Sequence, residues 1–193
     1  QAFYAVRECE DDICFTSDRG RIWCYQKKSG EFRLHELPTK ARITSIHAVG
    51  NDNTVVTTDS DGFFLSNLKT NKHIHYSPVT CKELSDQPIL SAYVDRTSEV
   101  WFEQEEPGVV VHFNPATGVV KREQMRVEYS NADRSRPAFH IHEDIHGHVW
   151  VHPYGGGFSY FDRERNCLVP FYDDLGSNNW RFSNKIQIGR AHV

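Results

Sequence analysis

Hydrophobic residues in this chain come in short runs that never lengthen into a helical stripe. HVWVH, EVWFE, TVVTTD and FSYFD are typical, and each is preceded by Gly, Asn or Ser. Runs of this length with β-branched and aromatic residues predict strands, and Pro and Gly interrupt too often for long helices. The predicted fold class is all-β.

The runs repeat. ICFTSDRGRIWCYQKKSGEFRLHEL from Ile13, TVVTTDSDGFFLSNLKTNKHIHYSP from Thr54, EVWFEQEEPGVVVHFNPATGVVKREQ from Glu99 and HVWVHPYGGGFSYFDRERNCLVPFYD from His148 align. ITSIHAVGND, ILSAYVDRTS and FHIHEDIHG stand ahead of the last three. The fourth unit predicts strands over 139–144, 149–152, 158–162 and 168–172. Glycines fall at one matching turn, Gly20, Gly62, Gly108 and Gly157, where a hairpin favours positive φ. A second turn carries Ser29-Gly30, Thr70-Asn71, Thr117-Gly118 and Arg165-Asn166.

A period of about 45 residues lies in the range of β-propeller blades. The expected blades are 1–40, 41–86, 87–136 and 137–176, with a further blade beginning over 177–187. A four-stranded sheet that is apolar on both faces needs cover on both, and radial packing supplies it. Trp101, Phe102, Trp150 and Val151 suit that buried layer, while the first two units place Cys14 and Val56 where the others have tryptophan. About four blades leave the ring open, so the first and last blades should keep apolar faces uncovered.

The histidine-rich stretch HIHEDIHGHVWVHPYGGGFSYFD raises the question of a metal site or a phosphate loop. His140 and His142 alternate on a strand, His146 and His148 flank a turn, and His152 ends a core run. That is neither helical nor knuckle spacing, and the glycine triplet has no helix behind it, so neither metal nor cofactor is expected. The stretch reads as one more blade.

Composition narrows the class further. Formal net charge is −4 with no Lys/Arg block, which argues against nucleic-acid binding. No apolar run can span a bilayer. Five cysteines show no CxxC spacing; Cys14 and Cys24 are placed to face each other across a hairpin, and the plainer reading of all five is as small buried apolar residues. The last six residues, IGRAHV, match the translation of a sequencing adapter (ATC GGA AGA GCA CAC GTC, then a stop). Residues 188–193 are therefore expected to be a non-native tail, with the natural frame running on past Gln187.

EDIHGHVWVHPYGGGFSYFD resembles the repeat ED-x-x-G-x-hydrophobic-Trp-x-x-x-x-x-GG-hydrophobic-x-x-aromatic-Asp of two-component regulator propellers. DNTVVTTDSDGFF and ICFTSDRGRIWCY look like weaker copies, and NNWRFSNKI from Asn178 like the start of another. Such repeats build the periplasmic sensor region of hybrid two-component histidine kinases. The resemblance implies a non-catalytic, periplasmic, ligand-sensing segment of a longer receptor with more blades, a membrane helix and a kinase. It further implies an oligosaccharide or other small ligand, homodimerisation of the whole receptor, and contact with a membrane only through parts C-terminal to this segment.

Two inter-blade segments offer aromatic faces and planar hydrogen-bonding groups suited to a sugar. RVEYSNADRSRPAFH carries Tyr129, Asn131, Arg134, Arg136 and His140; GSNNWRFSN carries Asn178, Asn179, Trp180 and Arg181. The rival reading is a glycan-active propeller enzyme of sialidase or lyase type, and Thr16-x-Asp18-x-Gly20-x-x-Trp23 matches the loose Asp-box of sialidases. Glycosidases need two carboxylates about 5–9.5 Å apart, or a tyrosine nucleophile with an acid. Glu143, Asp144, Asp162, Asp173 and Asp174 fall instead on turns and strand ends, where solvation is the default. A third reading is a protein-docking or dimerisation scaffold.

Overall fold

The computed structural model describes residues 3–9, 11–50, 52–125, 140–152 and 158–170. Among these residues sixteen strands form four antiparallel sheets, each a meander of four consecutive strands. Blade 1 contains β1 (Ala5–Cys9), β2 (Asp12–Thr16), β3 (Arg21–Gln26) and β4 (Phe32–Glu36). Blade 2 contains β5 (Ile43–Ala48), β6 (Asn53–Thr58), β7 (Phe63–Asn67) and β8 (Lys72–Tyr76). Blade 3 contains β9 (Ile89–Val94), β10 (Val100–Gln104), β11 (Val109–Asn114) and β12 (Val119–Gln124). Blade 4 contains β13 (His140–Glu143), β14 (Val149–His152), β15 (Ser159–Asp162) and β16 (Cys167–Pro170), each within two residues of the strand expected at that place.

Two compact units make up the chain, Gln1–Glu105 with Val111–Arg122, and Glu106–Val110 with Glu123–Val193. Within the first unit the blades meet chiefly through their first strands, β1 with β5 and β5 with β9, and also through β2 with β5 and β6 with β9. The sheets of this unit therefore fan out from a shared inner edge. Second and third strands such as β6 and β7 are buried on both faces, whereas the fourth strands β4 and β8 are largely exposed. This explains why the middle strands read as nearly continuous apolar runs.

Cross-strand partners share a face, so pairing register assigns each residue to one side of its blade. In blade 2 the row Ile46–Val56–Phe64 turns toward blade 1 and packs with Cys14, Ile22, Cys24 and Leu37. The opposite face carries Phe63 and Tyr76 and turns toward blade 3, where Phe63 lies 4.6 Å from Phe102 and 4.9 Å from Phe113. Blade 2 thus has one face for its predecessor and another for its successor.

The register also corrects one alignment. Val49 N–H donates to Asn53 O, Asp95 N–H to Glu99 O and Asp144 N–H to His148 O, marking the same turn in three blades. Six residues beyond each first donor stand Val55, Trp101 and Trp150, so Val55 rather than Val56 takes the tryptophan position of blade 2. The two differ by a single step along a strand, which is enough to move a side chain to the opposite face. Trp101 on the successor face is fully buried. Trp150 is only half-buried, unlike the core residue that the repeat suggests, as is its cross-strand partner Tyr160.

At the turns, Gly20, Gly62 and Gly108 have φ of 67°, 64° and 69°. A methyl group on Gly20 or Gly62 would run into the carbonyl oxygens of Leu37 or Tyr76, so these positions need glycine for space as well as for φ. Gly157 lies outside the described residues.

Cys14 and Cys24 sit directly opposite on β2 and β3, are buried, and are disulfide-bonded, where the plainer reading was two small apolar residues. Cys81 and Cys167 are free. The disulfide spans the β2–β3 hairpin and limits the unfolded chain, so Cys14→Ala with Cys24→Ala should cost about 2 kcal/mol. Denaturant melts with and without reductant check this: reductant should shift the parent protein and leave the double variant unchanged.

Candidate functional site

Of the residues proposed from sequence to meet a ligand, Tyr129, Asn131, Arg134, Arg136, Asn178, Trp180 and Arg181 lie outside the described residues, as does Asn179. His140 is placed on β13 opposite buried His152, their rings 6.3 Å apart and tilted by only 14°. His142 is opposite Trp150 on the same face. Among the described residues no group of three His, Cys, Asp or Glu side chains is arranged to hold a metal ion.

One polar feature emerges only when first strands of adjacent blades are compared. Each tryptophan position has a cross-strand partner on the first strand: Arg7 opposite Cys14, His47 opposite Val55 and Tyr93 opposite Trp101. The fan brings these strands side by side, and the Arg7 guanidinium donates to His47 Nδ1 at 2.9 Å. That bond places the neutral imidazole's proton on Nε2. Burial, reinforced by the Arg7 charge, pushes His47 down to about 4. Arg7 Nε and His47 Nε2 are both buried and make no hydrogen bond. A cation, a neutral imidazole and a phenol in one row can hydrogen-bond an acceptor-rich polar molecule or stack on its apolar face. His142 occupies the corresponding register position in blade 4. Spacings of about 40 residues hide this row from any local motif search.

Asp144, expected from sequence to be a solvated turn acid, is instead fastened within its blade, and so is Asp95; Asp173 and Asp174 lie outside the described residues. Asp95 is buried, and its Oδ1 accepts from Thr97 N–H (2.8 Å), Thr97 Oγ1 (2.6 Å) and Glu99 N–H (3.0 Å), while Oδ2 accepts from Trp101 Nε1 (2.9 Å). Asp144 repeats the pattern with His146 N–H, His148 N–H and Trp150 Nε1, and adds His148 Nδ1 at 3.0 Å. The Trp150 bond leads in holding the Asp144 carboxyl well below its ordinary value. His112 stacks on Trp101 at 4.5 Å and bonds Glu99 through Nδ1 at 2.7 Å. These carboxylates have their acceptor capacity directed at turn amides and an indole, which is a fastening, not acid–base chemistry. In blade 2 both members of the pair become apolar together, Val49 and Val55, and both are buried. The sequence signal was present in the Asp…Trp spacing of the repeat.

Asp18 of the Asp-box-like stretch takes a hydrogen bond from Tyr4, and this contact raises the Tyr4 phenol.

No family model matches the chain, and no curated protein matches it. Solved structures do resemble it. The extracellular domain of a putative hybrid two component system from B. thetaiotaomicron matches with a TM-score of 0.60 at 17% identity, over 86% of this chain and 23% of that one. Virginiamycin B lyase from Staphylococcus aureus matches at 0.63 and 18%, over 88% and 55%. The Cps50 (Swd1) β-propeller domain of Myceliophteria thermophila matches at 0.58 and 13%, over 86% and 53%. The chain thus spans about a quarter of that two-component domain's length. At these identities the likeness shows the fold: the chain is a β-propeller fragment of four-stranded blades.

Asp95→Ala would strand the Trp101 indole and two turn amides inside the protein, and should cost about 2–4 kcal/mol in denaturant melts. Asp144→Ala should cost less, because Trp150 is half-buried. For His47, the unfolded chain binds a proton near pH 6.5 and the folded protein only near 4, so stability present above pH 6.5 is lost as pH falls toward about 4. His47→Gln should flatten the change in melting temperature across that window, read by thermal melts at several pH values.

Proposed function

We propose that this chain is a ligand-sensing, non-catalytic segment of an extracytoplasmic two-component sensor, and that a small polar ligand, an oligosaccharide first among candidates, binds at the inner edge of its fan. The observation that carries this reading is the row Arg7–His47–Tyr93, where three blades contribute one polar or aromatic side chain each at a matching register position. A guanidinium and an imidazole recognise hydroxyl and carboxylate oxygens, and a phenol ring offers a face to sugar C–H groups. The fold likeness to an extracellular domain of a two-component system supports the reading, and so does the Cys14–Cys24 disulfide, which suits an oxidising compartment.

Fold likeness to virginiamycin B lyase keeps an enzymatic reading as the rival. A glycan array followed by calorimetry separates the two. Sensing predicts binding without product, weakened about tenfold or more by Arg7→Ala, the loss of a charge-assisted hydrogen bond. Conversion of the bound molecule would favour the lyase, and binding unaffected at Arg7 and His47 would remove the ligand from this edge.

A further inference from the structure

The seam between blades 1 and 2 has both of its sides within the first unit, and its two edges are titratable. Its core is apolar, with Cys14, Ile22, Cys24 and Leu37 against Ile46, Val56 and Phe64. At the inner edge the Arg7 guanidinium uses His47 Nδ1 as its acceptor, a role open only to a neutral imidazole. At the outer edge His35 stands opposite Ile22, on the face that blade 1 turns to blade 2. From blade 2, His75 stands opposite Phe64 and His73 opposite Ser66, on the face turned back to blade 1. The contact of Phe63 and Tyr76 with Phe102 and Phe113, which joins blades 2 and 3, is by contrast aromatic throughout.

The charges around these histidines mostly carry the sign that a proton would add. Arg7 faces His47, and Arg33 and His73 face His35, with Asp12 as the opposing charge. Burial leads in pushing His35, His47 and His73 below their ordinary value, His47 to about 4. His75 differs, because its Nε2 lies 3.1 Å from Asp61 Oδ1 and its proton would be matched there.

We propose that this seam is an acid-released joint: protonation of His47 at one edge and of His35 and His73 at the other opens it, freeing blade 1 while blades 2 and 3 stay together. Protonated His47 loses the lone pair that Arg7 uses and becomes a second cation beside it. His35 and His73 place like charge on the two sides of the outer edge. The open joint takes up protons near the ordinary imidazole value, and the closed joint only below it. Closure is therefore complete at neutral pH and is lost as pH falls from about 6.5 toward about 4. Opening parts Arg7 from His47, so acid would dismantle the inner-edge row whatever molecule binds it.

The Cys14–Cys24 disulfide reports on the joint, since both residues are 2% exposed within its core. Its reduction by a water-soluble phosphine is followed by alkylation and mass spectrometry, and divided by the rate for a model peptide disulfide at the same pH. Between about pH 7 and about pH 4.5 that ratio should rise about tenfold or more in the parent chain. Buried Cys81, labelled with dithiodipyridine relative to a model thiol, should not follow, which separates release of blade 1 from unfolding of the whole unit. His35→Gln, His47→Gln and His73→Gln combined should hold the ratio within about twofold, with glutamine keeping an acceptor for Arg7. If that variant fails to fold by circular dichroism, His35→Gln with His73→Gln, both partly exposed, should cut the rise by about threefold or more. A ratio that stays flat in the parent chain, a rise unchanged in the variants, or Cys81 labelling that climbs in step would each overturn the proposal.

Discussion

A blade of this protein cannot bury its own apolar surface. Strands such as β6 and β7 carry buried residues on both faces, so the sheet they belong to needs a neighbour on each side before its core is dry. That requirement makes the repeat stack and brings first strands together at the inner edge of the first unit. The aromatic cluster of Phe63, Tyr76, Phe102 and Phe113 belongs to no single blade; it exists because blades 2 and 3 each need the other.

Within that shared constraint, the four blades fasten the hairpins around their second strands in three ways. Blade 3 uses a buried carboxylate shared between an indole and the turn amides, and blade 4 repeats it nearer the surface. Blade 2 substitutes two valines, and blade 1 has a disulfide at Cys14, the position that holds tryptophan elsewhere. An unpaired buried indole N–H or carboxylate is expensive, so the aspartate and tryptophan are retained or replaced together.

The inner edge of the first unit carries a different side chain from each blade. Opposite the tryptophan position stand Arg7, His47 and Tyr93. Variation at a position whose geometry is constant is what a recognition surface requires, since the scaffold fixes place and the side chain supplies chemistry. Fold likeness at 13–18% identity extends to an extracellular sensor domain and to a lyase alike, so the architecture by itself does not choose between them.

The amino-acid sequence alone determined the strand class, the four-unit repeat and the turn glycines, because alternation, spacing and positive-φ turns are local and leave local marks. It could not separate Val55 from Val56, since a one-residue step in a short apolar run changes the buried face without changing composition. The Asp144…Trp150 spacing is visible in the repeat, but that it is a hydrogen bond appears only once the hairpin closes and directs the indole and the turn amides at the carboxylate. The Arg7–His47 contact spans 40 residues and two blades, so only tertiary packing, which sets first strands edge to edge, decided that these side chains meet.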